Sequence, residues 1–146
     1  MLAALSTLSA CKKEDMRTKE ELLQATHWKT EEVQTVDVTA GGTPVVTTTQ
    51  VACSSGCSCD DYIAFLPGHQ LDRNDGAILC SSPSNAGRGN WYIDEKDQTL
   101  IASNLIGRHG YYAFAIEELT AKRLRVSRQL VQGTNVSTYR VTFSAQ

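Results

Sequence analysis

Four cysteines lie within a short part of the sequence: Cys53, Cys57, Cys59 and Cys80. Clustered cysteines form disulfide bridges, bind a metal ion or carry out redox chemistry, and each of these implies a different protein. The spacing Cys-x3-Cys-x-Cys-x20-Cys is similar to the short ligand spacings of tetrahedral zinc sites. It contains no Cys-x-x-Cys pair, which argues against a redox centre. The compartment in which the chain folds therefore decides between bridges and zinc.

A fifth cysteine, Cys11, indicates that compartment. It follows the uncharged segment 1–10 and is followed at once by the charged residues Lys12-Lys-Glu-Asp15. Because a membrane span needs about 20 apolar residues, we interpret 1–10 as the remnant of a secretory signal peptide. The tetrapeptide Leu8-Ser-Ala-Cys11 resembles the lipobox of bacterial lipoproteins, in which the cysteine is acylated after cleavage. The alternative is a short buried helix with an ordinary free cysteine.

The resemblance to bacterial lipoproteins implies a lipid anchor on Cys11 and a place in the cell envelope of a Gram-negative bacterium. The anchor would hold the protein on the outer membrane, and the sequence leaves open whether it faces the periplasm or the cell surface. The predicted domain organisation is a signal remnant at 1–10, a charged tether at 11–17 and a folded domain at 18–146.

Export favours disulfides over zinc, because thiols are oxidised outside the cytoplasm. Of the three possible pairings, the one that includes Cys57–Cys59 needs a strained ring across a single residue. Of the other two, we favour Cys59–Cys80 with Cys53–Cys57. The cysteine cluster is then a clamp and not a reactive centre.

Length and charge narrow the classes of function. A chain of 146 residues forms one ordinary domain. Its 14 basic and 16 acidic side chains produce no field that would attract nucleic acid or an anionic membrane surface. Nucleic acid is therefore not an expected partner.

The local patterns predict one short helix followed by β-strands. Thr18 and Glu21 form a capping box, so we expect a helix from Thr18 to about Ala25. From Trp28 onward, β-branched and aromatic runs alternate with turns rich in Gly, Pro, Asn and Asp. The predicted strands are 28–38, 45–52, 61–66, 69–73, 89–94, 98–103, 110–118, 122–130 and 135–143, and 81–89 is predicted to be a mobile loop.

Alternating residues define one buried face of these strands. Tyr112, Phe114 and Ile116 share a face on one strand, as Tyr139, Val141 and Phe143 do on another, and Leu124, Val126 and Leu130 on a third. Short strands with hairpin turns and no intervening helices predict an all-β fold. We expect an antiparallel up-and-down barrel of eight, or nine, strands.

The order and spacing of several short segments resemble the lipocalin-like lipoproteins of Gram-negative bacteria. This family implies an eight-stranded barrel that binds a small apolar or amphipathic ligand without catalysis. Lipocalins begin the first strand with Gly-x-Trp, and this chain has Thr26 in place of the glycine but keeps Trp28. In lipocalins, an arginine near the end of the chain packs over this tryptophan, and the resemblance implies Arg140 for that role. The alternative is that Arg140 is a solvated strand residue. The segments are Ala25-Thr-His-Trp28, Cys59-Asp-Asp-Tyr-Ile-Ala-Phe65 with Cys80, Gly89-Asn-Trp91-Tyr-Ile93, Leu100-Ile-Ala-Ser-Asn104, Ala115-Ile-Glu-Glu-Leu-Thr120 and Leu124-Arg-Val126.

Six aromatic residues are the candidate ligand-binding set. An eight-stranded barrel is wide enough either to be packed by its side chains or to hold one small ligand, so these residues line a cavity or fill it. The sequence does not decide between the two. The set is Trp28, Phe65, Trp91, Tyr112, Phe114 and Tyr139.

Other polar residues give no recognised catalytic or metal-binding motif. The histidines His27, His69 and His109 are scattered and have no paired carboxylate. The acidic residues Asp60, Asp61, Asp72 and Asp75 do not form a calcium-binding loop and are interpreted as turn and strand-end carboxylates. The basic residues are interpreted as a solvated face: Arg88, Arg108, Lys122, Arg123, Arg125 and Arg128.

The sequence predicts an envelope lipoprotein, not an enzyme, with no cofactor and no metal, that binds a small hydrophobic ligand in its barrel. One rival is a protein-interaction module, in which a filled barrel presents the cysteine turn and the 81–89 loop to an envelope partner or a peptidase. The other is an enzyme, which requires titratable groups gathered in one cleft.

Overall fold

The structure, a computed structural model, describes residues 17–39, 41–50, 60–78, 86–94, 96, 98–106 and 110–146. One short helix precedes nine strands that form a single antiparallel sheet. The elements are α1 Lys19–Gln24, β1 His27–Val38, β2 Val45–Gln50, β3 Tyr62–Leu66, β4 Gln70–Asn74, β5 Gly87–Asp94, β6 Thr99–Ser103, β7 Tyr111–Leu119, β8 Arg123–Gln132 and β9 Asn135–Ala145.

The sheet closes into an eight-stranded up-and-down barrel, as the sequence predicts. Neighbouring strands from β3 to β9 pair in chain order, and β1 pairs with both β3 and β9. The ninth strand, β2, is an addition to the barrel. Every predicted strand is a β-strand in the structure, and its ends lie within a few residues of the predicted ones. Alternation with a period of two and turn residues mark these strands clearly in the sequence.

The long first strand divides the barrel into two halves. The lower half is the end where β1 begins, and there His27 and Trp28 pair with β3. In the upper half, β1 pairs instead with β2, from Glu32 to Asp37. The upper parts of β1, β8 and β9 together with β2 form a sheet extension, which we call the flap.

The lower half is a packed core. Inward side chains from every strand of the closed barrel interlock, among them Trp28, Phe65, Trp91, Phe114 and Phe143, all at most 2% exposed. The helix α1 plugs this end with Leu23, which is fully buried. The Trp28 indole N–H donates to the carbonyl oxygen of Leu23 at 2.9 Å, so the plug and the first strand are joined.

The capping box that starts α1 is confirmed. The Glu21 amide donates to the Thr18 hydroxyl at 3.1 Å, and the Thr18 amide donates to the Glu21 carboxylate at 2.7 Å. A helix of six residues is not stable alone, so its position depends on this cap and on the burial of Leu23. In the described part of the chain, no helix is long and apolar enough to cross a membrane.

One predicted boundary is wrong, because β5 begins at Gly87 and the predicted loop therefore ends earlier than residue 89. At Gly89 the end of β6 passes so close that an added Cβ would overlap the Ser103 carbonyl oxygen. The glycine that was interpreted as a loop residue is thus a point of close backbone approach. Leu105, which follows β6, is 1% exposed and caps the core from above.

A candidate functional site between two strands of the barrel

The barrel wall opens in its upper half, between β7 and β8. Their ladder runs from Leu119 opposite Leu124 up to Ala115 opposite Ser127, and no further. Both strands nevertheless continue upward, with β7 paired to β6 as far as Tyr111 and β8 paired to β9 as far as Gln132. The two strands therefore separate above Ala115 and Ser127. A surface concavity of about 680 Å³ lies at this place, on the outer side of the wall, where Ala115, Ser127 and Gln129 line it together with Arg128 and Tyr112.

Arg128 and Tyr112 meet across the opening. The guanidinium carbon of Arg128 lies 4.0 Å from the centroid of the Tyr112 ring, which is a cation–π contact. Arg128 is only half-exposed, and within the described residues it has no hydrogen bond and no carboxylate partner. A second tyrosine, Tyr139, is opposite Arg128 in the β8–β9 register. Arg128 therefore has inward parity and stacks on Tyr112 at the gap, where both side chains also line the outer concavity.

The inner face of the flap is only partly covered. Tyr139, Val33 and Ile116 are half-buried and pack against the top of the core. Leu130, one inward position above Arg128, is 38% exposed. The barrel is thus filled below and less densely covered above, at the level where β7 and β8 separate.

The six aromatic residues of the predicted ligand set fall into two groups. Trp28, Phe65, Trp91 and Phe114 are fully buried and pack against other side chains. Phe65 and Trp91 meet edge to face at 5.3 Å, and the Trp91 indole donates to the Gln70 carbonyl at 2.9 Å. These four belong to the core. Tyr112 is half-buried and lines the gap, while Tyr139 is half-buried, packs against the top of the core and is opposite Arg128 in the β8–β9 register.

The sequence interpretation missed Arg128, although a signal was present. Alternation predicts an inward face on β8 that contains Leu124, Val126 and Leu130. Arg128 lies on the same face, because it is two residues from both Val126 and Leu130. It was grouped with the solvated basic residues instead. Two of those do lie outward: Arg123 is 3.7 Å from Glu31 at an exposed ion pair, and Arg125 bonds the Thr142 hydroxyl at 3.4 Å. Arg108 lies outside the described residues.

Arg140 does not cover Trp28 as a lipocalin arginine would. In the β1–β9 register it is opposite Gln34, six residues along β1 from Trp28, or roughly 20 Å at the rise of a strand. Its Nε donates to Glu117 at 2.6 Å, and its Nη1 donates to Gln34 at 2.5 Å. The side chain therefore ties strands together on the outer face.

The two histidines that the structure describes, His27 and His69, do not gather at one cleft. His27 stacks on Tyr62 with ring centroids 4.3 Å apart, and His69 touches the edge of Trp91 at 5.5 Å. Both are exposed, and His109 lies outside the described residues. The two described histidines make separate aromatic contacts.

The acidic residues form a polar cluster at the top of β3 and β4. The Asp60 carboxylate accepts from the Ile78 amide at 3.0 Å and the Ala77 amide at 2.5 Å, and the pKa of Asp60 is lowered, chiefly by the Ile78 bond. Burial, with the nearby charge of Asp75, raises the pKa of Asp61. Within the described ranges, no three His, Cys, Asp or Glu side chains are arranged to hold a metal ion.

The cysteines lie outside the part of the chain that the structure describes. This applies to the lipidation candidate Cys11 and to the predicted bridges Cys59–Cys80 and Cys53–Cys57. All three assignments stay predictions.

Comparisons with known proteins give no family for this chain. The sequence matches neither a protein-family model nor a curated protein. The closed antiparallel barrel and the geometry of its opening are therefore the basis for a functional conclusion.

Proposed function

We propose that this protein is a non-catalytic envelope lipoprotein of lipocalin-like type, which binds a small apolar or amphipathic ligand in the upper half of its barrel. The observation that carries the proposal is the separation of β7 and β8 above Ala115 and Ser127. A fully paired wall would seal the interior. Here the gap exposes Arg128 and Tyr112, which flank it, to the concavity on the outer side, and Leu130 above them is 38% exposed.

The chemistry of that face suits an amphipathic ligand. Val33, Leu130 and the ring of Tyr139 offer apolar contact, while Thr35 and Arg128 offer polar groups. Apolar surface removed from water contributes about 25 cal/mol per Å². A small ligand that covers the half-exposed side chains gains this free energy without repacking the core below them.

The lipid anchor is supported by sequence alone. The lipobox-like Leu8-Ser-Ala-Cys11 and the charged tether behind it are the signals for it. An anchored barrel would hold its opening close to the outer membrane, where apolar and amphipathic molecules are concentrated.

A matched pair of variants tests the binding site. Leu130→Trp adds bulk on the inward face beside the opening, while Val131→Trp adds the same bulk one residue away on the outward face, where Val131 is 68% exposed. With the neutral fluorescent probe N-phenyl-1-naphthylamine, we expect Leu130→Trp to weaken binding about 5-fold or more and Val131→Trp to leave it unchanged. Equal effects of the two variants, or no binding by the parent protein, would refute the proposal.

A second candidate, the protein-interaction module, is favoured by one outward-facing feature. Near the tip of the flap, Val46 pairs with Val36, and Val136 pairs with both Val38 and Val131, so five valines lie side by side on the outer face. Val46 is 56% exposed and Val131 is 68% exposed. Contiguous exposed apolar residues mark contact surfaces. If Val131→Trp abolished capture of an envelope protein while N-phenyl-1-naphthylamine still bound, the results would favour a protein-interaction module over a ligand carrier.

A further inference from the structure

Arg128 occupies a position where a positive charge needs a partner. Inward positions of a barrel strand normally carry apolar residues, and the two inward positions below it, Leu124 and Val126, are fully buried. A half-buried guanidinium is poorly screened by water, so an opposite charge placed against it is attracted more strongly than at an exposed site. In the described part of the chain, no carboxylate supplies that charge.

The side chains at the level of Arg128 on the inward face are neutral, and the two charged residues that share its concavity, Glu117 and Arg140, pair with each other. Tyr112 on β7 lies under the guanidinium, Tyr139 is opposite on β9, and Thr35 on β1 is opposite Tyr139. Asp37 is the inward carboxylate on β1. It is opposite Ser137, one inward position above the Thr35–Tyr139 pair, and it accepts a hydrogen bond from the Ser137 hydroxyl at 2.6 Å. The charge of Arg128 is therefore left for a group that comes from outside the described residues.

We propose that the ligand of the barrel is a single-chain amphiphile with an anionic head group, and that Arg128 binds this head. The proposal rests on the binding function proposed above and names the ligand class of the same site. The planar guanidinium presents paired N–H donors that match the two oxygens of a carboxylate or phosphate. Stacking on Tyr112 holds that plane in one orientation before the ligand arrives.

The apolar chain of the amphiphile has one accessible direction. Below Arg128 the core is filled by Val126, Val141 and Phe114, each at most 2% exposed. Above it, Leu130 is 38% exposed and the inner face of the flap is only partly covered. The head therefore lies at the floor of the opening, and the chain extends upward along the flap.

The test uses the full-length chain, two uncharged variants and ligands matched in length. Decanoate and decanol share a ten-carbon chain and differ in head-group charge. Decyl phosphate replaces the carboxylate head with a phosphate head. Acetate has the carboxylate but no chain. Each is titrated against bound N-phenyl-1-naphthylamine. Arg128→Gln removes the inward charge, while Arg125→Gln removes one charge from the outward face of the same strand. Both variants change the net charge equally.

In the parent protein and in Arg125→Gln, we expect decanoate to bind about 10-fold or more tightly than decanol, as for one charge-assisted hydrogen-bonded pair. In Arg128→Gln, the two ligands should bind within about 2-fold of each other, and an unchanged circular dichroism spectrum and melting temperature show that the variant is folded. Arg128→Lys should restore part of the preference. Acetate should bind far more weakly than decanoate.

Several outcomes would overturn the inference. If the parent protein bound decanol as tightly as both anionic ligands, the anionic head would be excluded while the proposed binding function survived. Equal loss of preference in the Arg125 and Arg128 variants would show a long-range charge effect in place of a site. If acetate competed as well as decanoate, the ligand would be a small anion and not an amphiphile. If neither probe nor ligand bound, both the inference and the proposed function would fail.

Discussion

Glu117 shows how one extra residue in a strand creates an ion pair on the outer face. The β7–β8 register shifts between Ile116 and Glu118, so Glu117 is the bulged residue. Its two carboxylate oxygens accept from Arg140 at 2.6 and 3.1 Å. Burial raises the pKa of Glu117, but hydrogen bonds from Arg140 and Ser127 outweigh it and leave the pKa below its ordinary value. The pair links β7 to β9 across β8, directly beneath the opening.

Glu117→Gln should reduce the free energy of unfolding at pH 7 by about 0.5–1 kcal/mol, the range of a partly exposed ion pair. Because the folded-state pKa is lowered, the contribution is present above the unfolded pKa of about 4.3 and is lost as the pH falls through the folded value. Urea unfolding at pH 7 and at about pH 3 measures this. The difference between parent and variant should be largest at pH 7 and smaller at pH 3. An equal or larger difference at pH 3 would contradict the assignment.

Alternation of side chains along a strand predicts correctly which of these residues are buried. Phe114, Val126 and Val141 are buried where alternation places them. The positive charge of Arg128 favours a solvated face, whereas its position in the alternation favours the inward face of β8. That the cation stacks on Tyr112 could not be predicted, since the contact joins two strands that are not paired at that level.

The helix α1 contributes to stability through two buried side chains, Leu22 and Leu23, of which Leu23 is fully buried. Leu23→Ala should lower the free energy of unfolding by about 3 kcal/mol, since it opens a cavity against Trp28 at the lower end of the barrel. Gln24→Ala, an exposed change in the same helix, is the matched control and should change it little. Thermal and urea unfolding of both variants check this. Similar small effects would mean that α1 does not close the barrel.

One predicted disulfide, Cys59–Cys80, would join positions close in sequence to the two ends of the β3–β4 hairpin. Asp60, next to Cys59 in sequence, accepts from the amides of Ala77 and Ile78, and Ile78 is two residues before Cys80. A Cys59–Cys80 bridge would close a loop of about twenty residues and contribute about 3 kcal/mol by restricting the unfolded chain. Peptide mapping of unreduced protein should recover the Cys59 and Cys80 peptides linked. Recovery of Cys80 linked to Cys57, or of free thiols with bound zinc, would rule it out.

At the scale of the whole molecule, sequence patterns predict the strands and their chain order but not the shape of the barrel. Hairpin turns join consecutive strands, so β3 to β9 follow directly. The division of β1 between β3 below and β2 above depends on register over long sequence distances, and no local pattern encodes it. The same is true of the point at which β7 and β8 separate.

The filled lower half and accessible upper half also arise from packing between distant strands. The sequence left open whether the barrel was hollow, because inward aromatic residues occur at both levels. Trp28, Phe65 and Trp91 meet at the lower level and fill it, while Tyr112 and Tyr139 lie where the wall has opened. Binding at the upper level is the central claim that follows.

An NMR titration of the isotope-labelled full-length protein with N-phenyl-1-naphthylamine tests that claim most directly. The predicted result is a set of saturable chemical-shift changes at the inward residues of the opening, such as Tyr112, Arg128 and Leu130. The amide signals of the buried lower core and of the outward valines should stay in place. Shifts confined to the outward valines, or no saturable shifts at all, would contradict the account.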